Sequence, residues 1–302
     1  RGVVGALRDI KRAPWVFALP FGLRGAFRAT PLFRAGGDES AGGWGRFGGQ
    51  LALVVACMVF ARTWAMLVNR IADRRFDAAN PRTAGRALAS GRLGVKDAWG
   101  MALGSASGFV ACCGLFWLAF GNAWPLTLSV PTLAWIAFYS FTKRFTWASH
   151  LFLGGALAAS PLAAGIAVDP AYLWQYAPLW WLGGMVLCWV AGFDVLYSLQ
   201  DEEFDRESGL WSVPARWGAT RARWMSRGLH AVALAELGMA WVSDARLGVI
   251  FGVACFGASA LLVWEHAHLS RRGIAGLPLS FGVINGMVAI GVGIAGCVDV
   301  VL

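Results

Sequence analysis

The sequence predicts an all-α membrane protein, a bundle of nine transmembrane helices, and three observations support this. Hydrophobic residues make up 58% of the 302 residues and charged residues only 14%, with a mean hydropathy of +0.58. Soluble domains average about 25% charged residues. Long apolar runs recur along the chain, and the basic residues collect in every second loop between them. No polar stretch is long enough for a separate soluble domain, so residues 1–302 are predicted to form one domain.

The apolar segments define the helices in order, because a membrane-spanning helix needs about 20 mostly apolar residues. The first segment is the least regular, since Pro20, Gly22 and Arg24 interrupt it. Lys11 and Arg12 before it resemble the start of a signal peptide, but the later segments favour a first transmembrane helix. The predicted spans cover residues 14–30, 48–70, 97–120, 124–142, 149–168, 174–200, 222–243, 246–267 and 279–301.

The charges of the loops orient these helices. Cytoplasmic loops of membrane proteins carry an excess of Lys and Arg. With the N-terminus inside, most of the 26 basic residues fall in inside loops, including those around Arg74, Lys143 and Arg216. We therefore expect the N-terminus inside and the C-terminus outside. The same rule accounts for the net charge of +9, so no nucleic acid partner is predicted.

Two acidic clusters lie at predicted inside helix ends. Asn69, Asp73 and Asp77 are spaced four residues apart, so on a helix they lie along one stripe. Asp201 and Asp205 follow Asp73 and Asp77 at an equal offset, again where an apolar segment ends. Carboxylate and amide oxygens suit Mg²⁺, which often binds one or two carboxylates together with substrate phosphates. The repeated plan indicates a duplication and predicts two sides of one metal–diphosphate site.

Basic side chains beside the carboxylates would contact phosphate. Arg70, Arg82 and Arg86 flank the first cluster, and Lys143 and Arg144 end another helix on the same side. Such cations form charge-assisted hydrogen bonds with phosphate. A mixed charge cluster at a helix end is usually a solvated surface, but two clusters with equal spacing favour a site. Such a site would lower the barrier for breaking a carbon–oxygen bond to diphosphate. If that carbon is allylic, the product is a delocalised cation, and the apolar bundle would keep water from it.

These motifs resemble those of the UbiA family of intramembrane aromatic prenyltransferases. The stretch 69–77 is similar to the family's N-x-x-x-D-x-x-x-D signature, and 197–205 is similar to its Y-x-x-x-D-x-x-x-D signature. The stretch 139–143 resembles its Y-x-x-x-K element, and 17–21 resembles its first helix. The sequence departs from many members at Arg70, where they have Asp, and in the loop 87–91, where they have a proline-containing run.

The resemblance implies a nine-helix bundle around a central cavity that opens to the cytoplasm and the bilayer. It also implies Mg²⁺ as the cofactor, held with the donor diphosphate by Asn69, Asp73, Asp77, Asp201 and Asp205. The four aspartates, together with Lys143 as a diphosphate contact, are the expected catalytic residues.

The resemblance further implies that Tyr139 and Tyr197 line the site and that Arg144 anchors the carboxylate of an aromatic acid. Asn69, Arg70 and Arg86 complete the expected substrate contacts on the diphosphate side.

Two further polar residues are candidates on their position alone. Arg62 lies within a predicted span, and an ionisable residue at that depth is by default a functional candidate. Substrate contact and an internal ion pair remain equal alternatives for Arg62. Asp194 precedes Tyr197 by one helical turn and is a candidate for the same cavity.

The leading function is transfer of a polyprenyl group from polyprenyl diphosphate to an aromatic acid in quinone biosynthesis. We expect it at a bacterial inner (plasma) membrane, with the active site facing the cytoplasm, the lipid bilayer around it and no obligate protein partner. The acceptor would be 4-hydroxybenzoate for ubiquinone, or a naphthoate for menaquinone.

Two alternatives belong to other functional classes. Secondary transporters also have internal repeats and intramembrane charges, but their sites lie near the bilayer midplane, whereas these carboxylates lie at one face. A structural membrane subunit would leave the paired motifs unexplained.

Overall fold

The computed structural model describes residues 17–33 and 43–302, and this part of the chain contains helices and no β-strand. Short 3₁₀ turns cover Pro31–Phe33, Ser198–Asp201 and Gly273–Gly276, and a π-helix covers Leu279–Ile284. The α-helices in chain order are α1 (Leu19–Ala29), α2 (Gly43–Ala72), α3 (Arg74–Ala79), α4 (Val95–Phe120), α5 (Trp124–Thr142), α6 (Ser149–Val168), α7 (Pro170–Gln175), α8 (Ala177–Tyr197), α9 (Glu202–Glu207), α10 (Val213–Val242), α11 (Val249–Arg272) and α12 (Asn285–Val301).

Every predicted span coincides with a helix, which confirms the all-α prediction. Among the described residues, six segments are long and apolar enough to cross a membrane: Gly43–Ala72, Val95–Phe120, Ser149–Val168, Ala177–Glu207, Val249–Gly276 and Leu279–Val301. The other three predicted segments correspond to α1, α5 and α10, so the number of nine spans stays a prediction. Lys11, Arg12 and the first residues of the predicted span 14–30 lie outside the described residues.

Helix α10 is longer at its start than the seventh predicted span, residues 222–243. Helix α10 begins at Val213, where the Ser212 side chain accepts a hydrogen bond from the Ala215 backbone N–H. Residues 213–221 were assigned to a loop because they are basic. They continue the helix beyond its apolar part instead, with a kink at Gly218, whose φ of 78° suits glycine.

Helix α8 forms the centre of the bundle and packs mainly against α6 and α10. Its side chains Leu182, Met185 and Trp189 are fully buried. The Trp189 indole N–H donates to the Asn285 side-chain oxygen at 2.7 Å, so the one polar atom of this buried ring has a partner. Phe17, just before α1, packs edge-on against Trp189.

Small residues allow α6 to approach its neighbours closely. A side-chain carbon at Gly154 would collide with the backbone carbonyl of Leu187 on α8, and one at Gly25 of α1 would collide with the carbonyl of Pro161 on α6. Membrane bundles commonly use small residues at such contacts, because lipid gives no hydrophobic drive between helices and close packing replaces it. These contacts fix α6 between α1 and α8.

Candidate active site

Both acidic clusters are built on the same local plan. Helix α2 ends at Ala72, Asp73 adopts φ −91° and ψ 5°, and the short helix α3 follows with Asp77. After α8 and a 3₁₀ turn, Asp201 adopts φ −109° and ψ 6°, and the short helix α9 follows with Asp205. Both leading aspartates occupy the sparsely populated bridge region in which many active-site residues lie. This likeness supports the predicted duplication.

The first cluster is not one unbroken helix as predicted, because the chain turns at Asp73. The four-residue spacing nevertheless persists, since the Asp73 N–H donates to the Asn69 carbonyl at 2.9 Å and the Asp77 N–H donates to the Asp73 carbonyl at 2.7 Å. The Asn69 side-chain amide donates to Asp73 Oδ2 at 3.1 Å. Asp77 is buried and pairs with Arg86 at 2.6 Å, with Arg70 3.9 Å away.

The second cluster receives its cations from other parts of the chain. Arg82 donates to both carboxylate oxygens of Asp201, from Nε at 3.0 Å and from Nη2 at 2.6 Å. The Asn80 amide donates to Asp201 Oδ1 at 3.0 Å, and Arg82 also donates to the Tyr197 hydroxyl at 3.3 Å. Asn80 and Arg82 follow the first cluster in sequence, so these bonds join the two clusters directly.

The end of α5 completes the group. Lys143 Nζ lies 2.7 Å from Asp205 Oδ2, and the Asp205 side chain is only 2% exposed. Arg144 donates to the Ala72 carbonyl at 2.6 Å, and its guanidinium lies 3.9 Å from Asp73. Three separated segments, after α2, after α5 and after α8, therefore meet at one end of the bundle.

Asp73 is distinguished from the other three aspartates by its exposure and its raised pKa. Its side chain is 31% exposed, the most open of the four aspartates. The pKa of Asp73 is raised to about 6, chiefly by burial and secondly by repulsion from Asp77, while attraction from Lys143 and Arg144 opposes the rise. Two carboxylates this close resist ionising together unless a cation lies between them.

The carboxylates are suited to Mg²⁺ in chemical type. In the described part of the chain, no three His, Cys, Asp or Glu side chains converge enough to hold a metal ion. Each carboxylate is instead neutralised by Arg or Lys. The side chains of Arg82 and Lys143 are 34% and 33% exposed, so these pairs are open to exchange with phosphate. The donors are oxygens only, which is the preference of Mg²⁺.

An apolar cavity of about 320 Å³ lies between α2, α4, α5 and α6. Its walls are mainly aliphatic and aromatic, with Phe109, Leu128, Leu153 and Leu157 among them. Arg62 and Tyr139 also line it, and the two interact electrostatically. Among the described residues Arg62 forms no ion pair, and its Nε has no hydrogen-bond partner. This favours substrate contact over the internal ion pair that was the alternative.

Asp194 has a specific partner that the sequence did not suggest. Its Oδ2 lies 2.6 Å from Nδ1 of His150, at the start of α6. The Val213 backbone N–H points at His150 Nε2 at 3.3 Å. Asp194 also interacts electrostatically with Tyr139, which places it near the cavity as expected.

The structure thus brings together all the residues predicted for the metal–diphosphate site. Asn80 and His150 were missed, and Arg82 was noted only as a neighbour. Asn80 lies outside both spaced acidic clusters, and His150 gave no signal beyond being polar in an apolar segment. Arg144 is less available for an acceptor than predicted, because it bonds the Ala72 carbonyl and lies over the Phe76 and Phe141 rings.

Comparison with known proteins decides the family. The model of the UbiA prenyltransferase family matches residues 35–282. The chain belongs to the UbiA prenyltransferase family. Six segments of the described residues are long and apolar enough to cross a membrane, and this UbiA protein is a multi-pass integral membrane protein.

Individual relatives agree in sequence and fold. A 4-hydroxybenzoate octaprenyltransferase from Edwardsiella ictaluri is 32% identical over 237 residues, which cover 74% of this chain and 75% of the relative. The apo structure of a UbiA homolog from Aeropyrum pernix K1 is similar with a TM-score of 0.78 and 30% identity, covering 94% of this chain and 97% of the other. A UbiA homolog from Archaeoglobus fulgidus, bound to DMAPP and Mg²⁺, shares the fold with a TM-score of 0.68, 17% identity and coverage of 97% and 99%.

Proposed function

We propose that this protein transfers a polyprenyl group from its diphosphate to an aromatic acid, with 4-hydroxybenzoate as the acceptor, in quinone biosynthesis. The observation that carries the proposal is the meeting of two carboxylate clusters and their basic partners beside an apolar cavity. The name of the Edwardsiella ictaluri relative supports the acceptor. The one unpaired cation of the cavity among the residues described, Arg62, supports an acidic acceptor.

The donor diphosphate binds at the two clusters. The residues that would hold Mg²⁺ with it are Asn69, Asp73, Asp77, Asp201 and Asp205. When bound, Mg²⁺ would offset the negative charge that develops on the leaving diphosphate. The magnesium complexes of the Archaeoglobus fulgidus homolog support this cofactor.

The basic side chains bind the leaving diphosphate. Arg82 and Lys143 are partly exposed and form ion pairs with Asp201 and Asp205. Phosphate oxygens can therefore replace the carboxylate oxygens as partners of these two cations with little change in the balance of charge. Arg70 and Arg86 are placed to do the same beside Asp77. These donors stabilise negative charge as the carbon–oxygen bond breaks.

The apolar cavity receives the prenyl chain and protects the allylic cation from water. Arg62 binds the carboxylate of the acceptor, in place of the predicted Arg144, because Arg62 lines the cavity and has no counter-charge there. Tyr139 lies between Arg62 and the first cluster, within electrostatic range of Arg62, Arg70 and Asp73. It therefore borders both the cavity and the diphosphate site, where the acceptor ring meets the reacting carbon.

We place the active site at the cytoplasmic face of a bacterial inner membrane. The clusters follow the spans α2 and α8, and the loops that carry Arg74, Lys143 and Arg216 lie on the side that the excess of basic residues predicts to be inside. An acidic, water-soluble acceptor and released diphosphate are then on the side where they are made and used.

The test is a reconstituted assay. Purified protein in liposomes receives Mg²⁺, a polyprenyl diphosphate and one aromatic acid at a time, including 4-hydroxybenzoate and a dihydroxynaphthoate, and products are identified by mass spectrometry. We expect prenylated 4-hydroxybenzoate and an equal amount of diphosphate, both abolished by EDTA. Product from the naphthoate alone would move the protein to the menaquinone reaction.

The same liposomes distinguish an enzyme from a transporter. Diphosphate release without any solute gradient is expected of the enzyme. Solute uptake driven by a gradient, with no prenylated product from any acceptor, would contradict the proposed function.

A further inference from the structure

We propose that Asp194, held in place by His150, is the base that accepts the proton lost by the aromatic ring when it is prenylated. This inference rests on the proposed function. Asp194 lies outside both acidic clusters, and its Oδ2 is 2.6 Å from His150 Nδ1.

Asp194 is partly exposed and lies near Tyr139, which lines the cavity. Its side chain is 24% exposed, although the residues beside it on α8, Phe193 and Val195, are buried. Tyr139, which lines the cavity, lies within electrostatic range of Asp194.

The hydrogen bonds of His150 define its role. Because the Val213 N–H donates to Nε2 at 3.3 Å, Nε2 carries a lone pair and the ring proton is on Nδ1. The Nδ1–H then donates to Asp194 Oδ2. His150 is therefore a positioning residue that orients the Asp194 carboxylate.

The partner of Asp194 differs from the partners of the clustered carboxylates. Asp77, Asp201 and Asp205 each contact an Arg or Lys at 2.7 Å or less, so cations hold their oxygens. No Arg or Lys is paired with Asp194 in the described structure, so its carboxylate keeps an oxygen that no cation holds and that can accept the proton.

Prenylation of the ring is an electrophilic aromatic substitution. The donor's carbon–oxygen bond breaks and its electron pair leaves with diphosphate. The ring's π electrons form the new carbon–carbon bond at the position next to the hydroxyl, and the ring becomes cationic. The electron pair of the carbon–hydrogen bond at that position restores aromaticity, and the proton passes to Asp194. The resulting carboxylic acid loses the proton to water through its exposed edge.

The central variant is Asp194→Asn, tested with 4-hydroxybenzoate that carries either hydrogen or deuterium beside the hydroxyl. The amide oxygen still accepts from His150, so the local structure is kept while the base is lost. General-base catalysis typically contributes about 10²–10⁴-fold in rate, and we expect a loss of kcat in this range with little change in the donor KM. Proton removal then limits the rate, so the deuterated acceptor reacts more slowly in the variant, whereas the wild-type protein shows no such difference.

Further variants give the comparison its controls. Asp194→Glu keeps a carboxylate and should recover turnover relative to Asp194→Asn, with the isotope dependence reduced. His150→Gln can donate to Asp194 and accept from Val213, so it should retain more turnover than His150→Leu. Asp97→Asn removes an exposed carboxylate at the start of α4 and should leave turnover unchanged. A thermal melt in detergent checks that each protein is folded.

Two results would overturn the inference: turnover of Asp194→Asn near that of the wild type, or a loss of turnover with no isotope dependence. If Asp194→Asn does not fold, the inference is judged on His150→Gln and His150→Leu, and equal loss in both would count against it. A wild-type protein that prenylates no aromatic acid would instead remove the proposed function on which the inference rests.

Discussion

Replacing Asp201 with Asn should nearly abolish turnover while leaving the protein folded. Asp201 accepts three hydrogen bonds, one from Asn80 and two from Arg82. Asparagine keeps the size but loses the charge, and its amide N–H would face donors. Losing one preorganised electrostatic partner of a developing charge costs about 10²–10³ in rate.

The cost in stability is smaller and can be estimated from the contacts. A hydrogen bond to a charged group contributes about 1.5–3 kcal/mol. The Arg82 side chain is 34% exposed, and solvent screening reduces such pairs towards 0–1 kcal/mol. We therefore expect a loss of about 1–2 kcal/mol, well below what would unfold a bundle whose central helix α8 is packed along most of its length.

The assay is turnover at saturating Mg²⁺, with a thermal melt in detergent. The matched control is Glu203→Gln, which makes the same chemical change at an exposed residue of α9. It should keep turnover within about twofold of the wild type, because an exposed charge contributes little. Near-normal turnover in Asp201→Asn would refute the two-cluster site. An equal loss in Glu203→Gln would mean that the general charge of α9 matters, rather than the Asp201 contacts.

Three further outcomes are expected. The pKa of Asp73 is raised from 3.8 to about 6, so the folded state favours the protonated carboxyl. The substrate-free protein should therefore become more stable as pH falls from 7 to 5. Thermal melts of Asp73→Asn across this range should lack that gain in stability. Arg62→Ala should raise the acceptor KM more than Arg144→Ala does, and the reverse order in steady-state kinetics would restore Arg144 as the carboxylate anchor. Single cysteines from Ser90→Cys and Arg216→Cys, in a protein without its native cysteines, should react only with reagents that enter the cytoplasm, and labelling from outside intact cells would contradict the proposed orientation.

Much of the fold was predictable because apolar runs of spanning length leave few options in a bilayer. The helix ends were harder to predict. The basic residues 213–221 read as a loop by hydropathy, but they are helical because Ser212 caps the helix and its polar end extends beyond the apolar part. Hydropathy indicates where the apolar part of a helix ends, but not where its backbone hydrogen bonding ends.

The composition of the site was predictable to the extent that its residues are spaced regularly. Asp73, Asp77, Asp201 and Asp205 were found by their repeat. The pairing of Arg82 with Asp201 was not, since it depends on how the loop after α3 crosses to α8. His150 was missed for a similar reason: its meaning comes from Asp194 and Val213, which only the packing of α6 against α8 and α10 brings near.

The close contact between Gly154 and Leu187 holds α6 and α8 rigidly against each other within the membrane. His150 lies one helical turn from Gly154, about 6 Å along α6, and Asp194 lies beyond Leu187 towards the same end of α8. A larger side chain at Gly154 would push the two helices apart and lengthen the His150–Asp194 contact. Substitutions at the interface between α6 and α8 should therefore affect the protein as strongly as substitutions of the polar groups at the ends of these helices. Turnover should be lost even in variants whose hydropathy is unchanged.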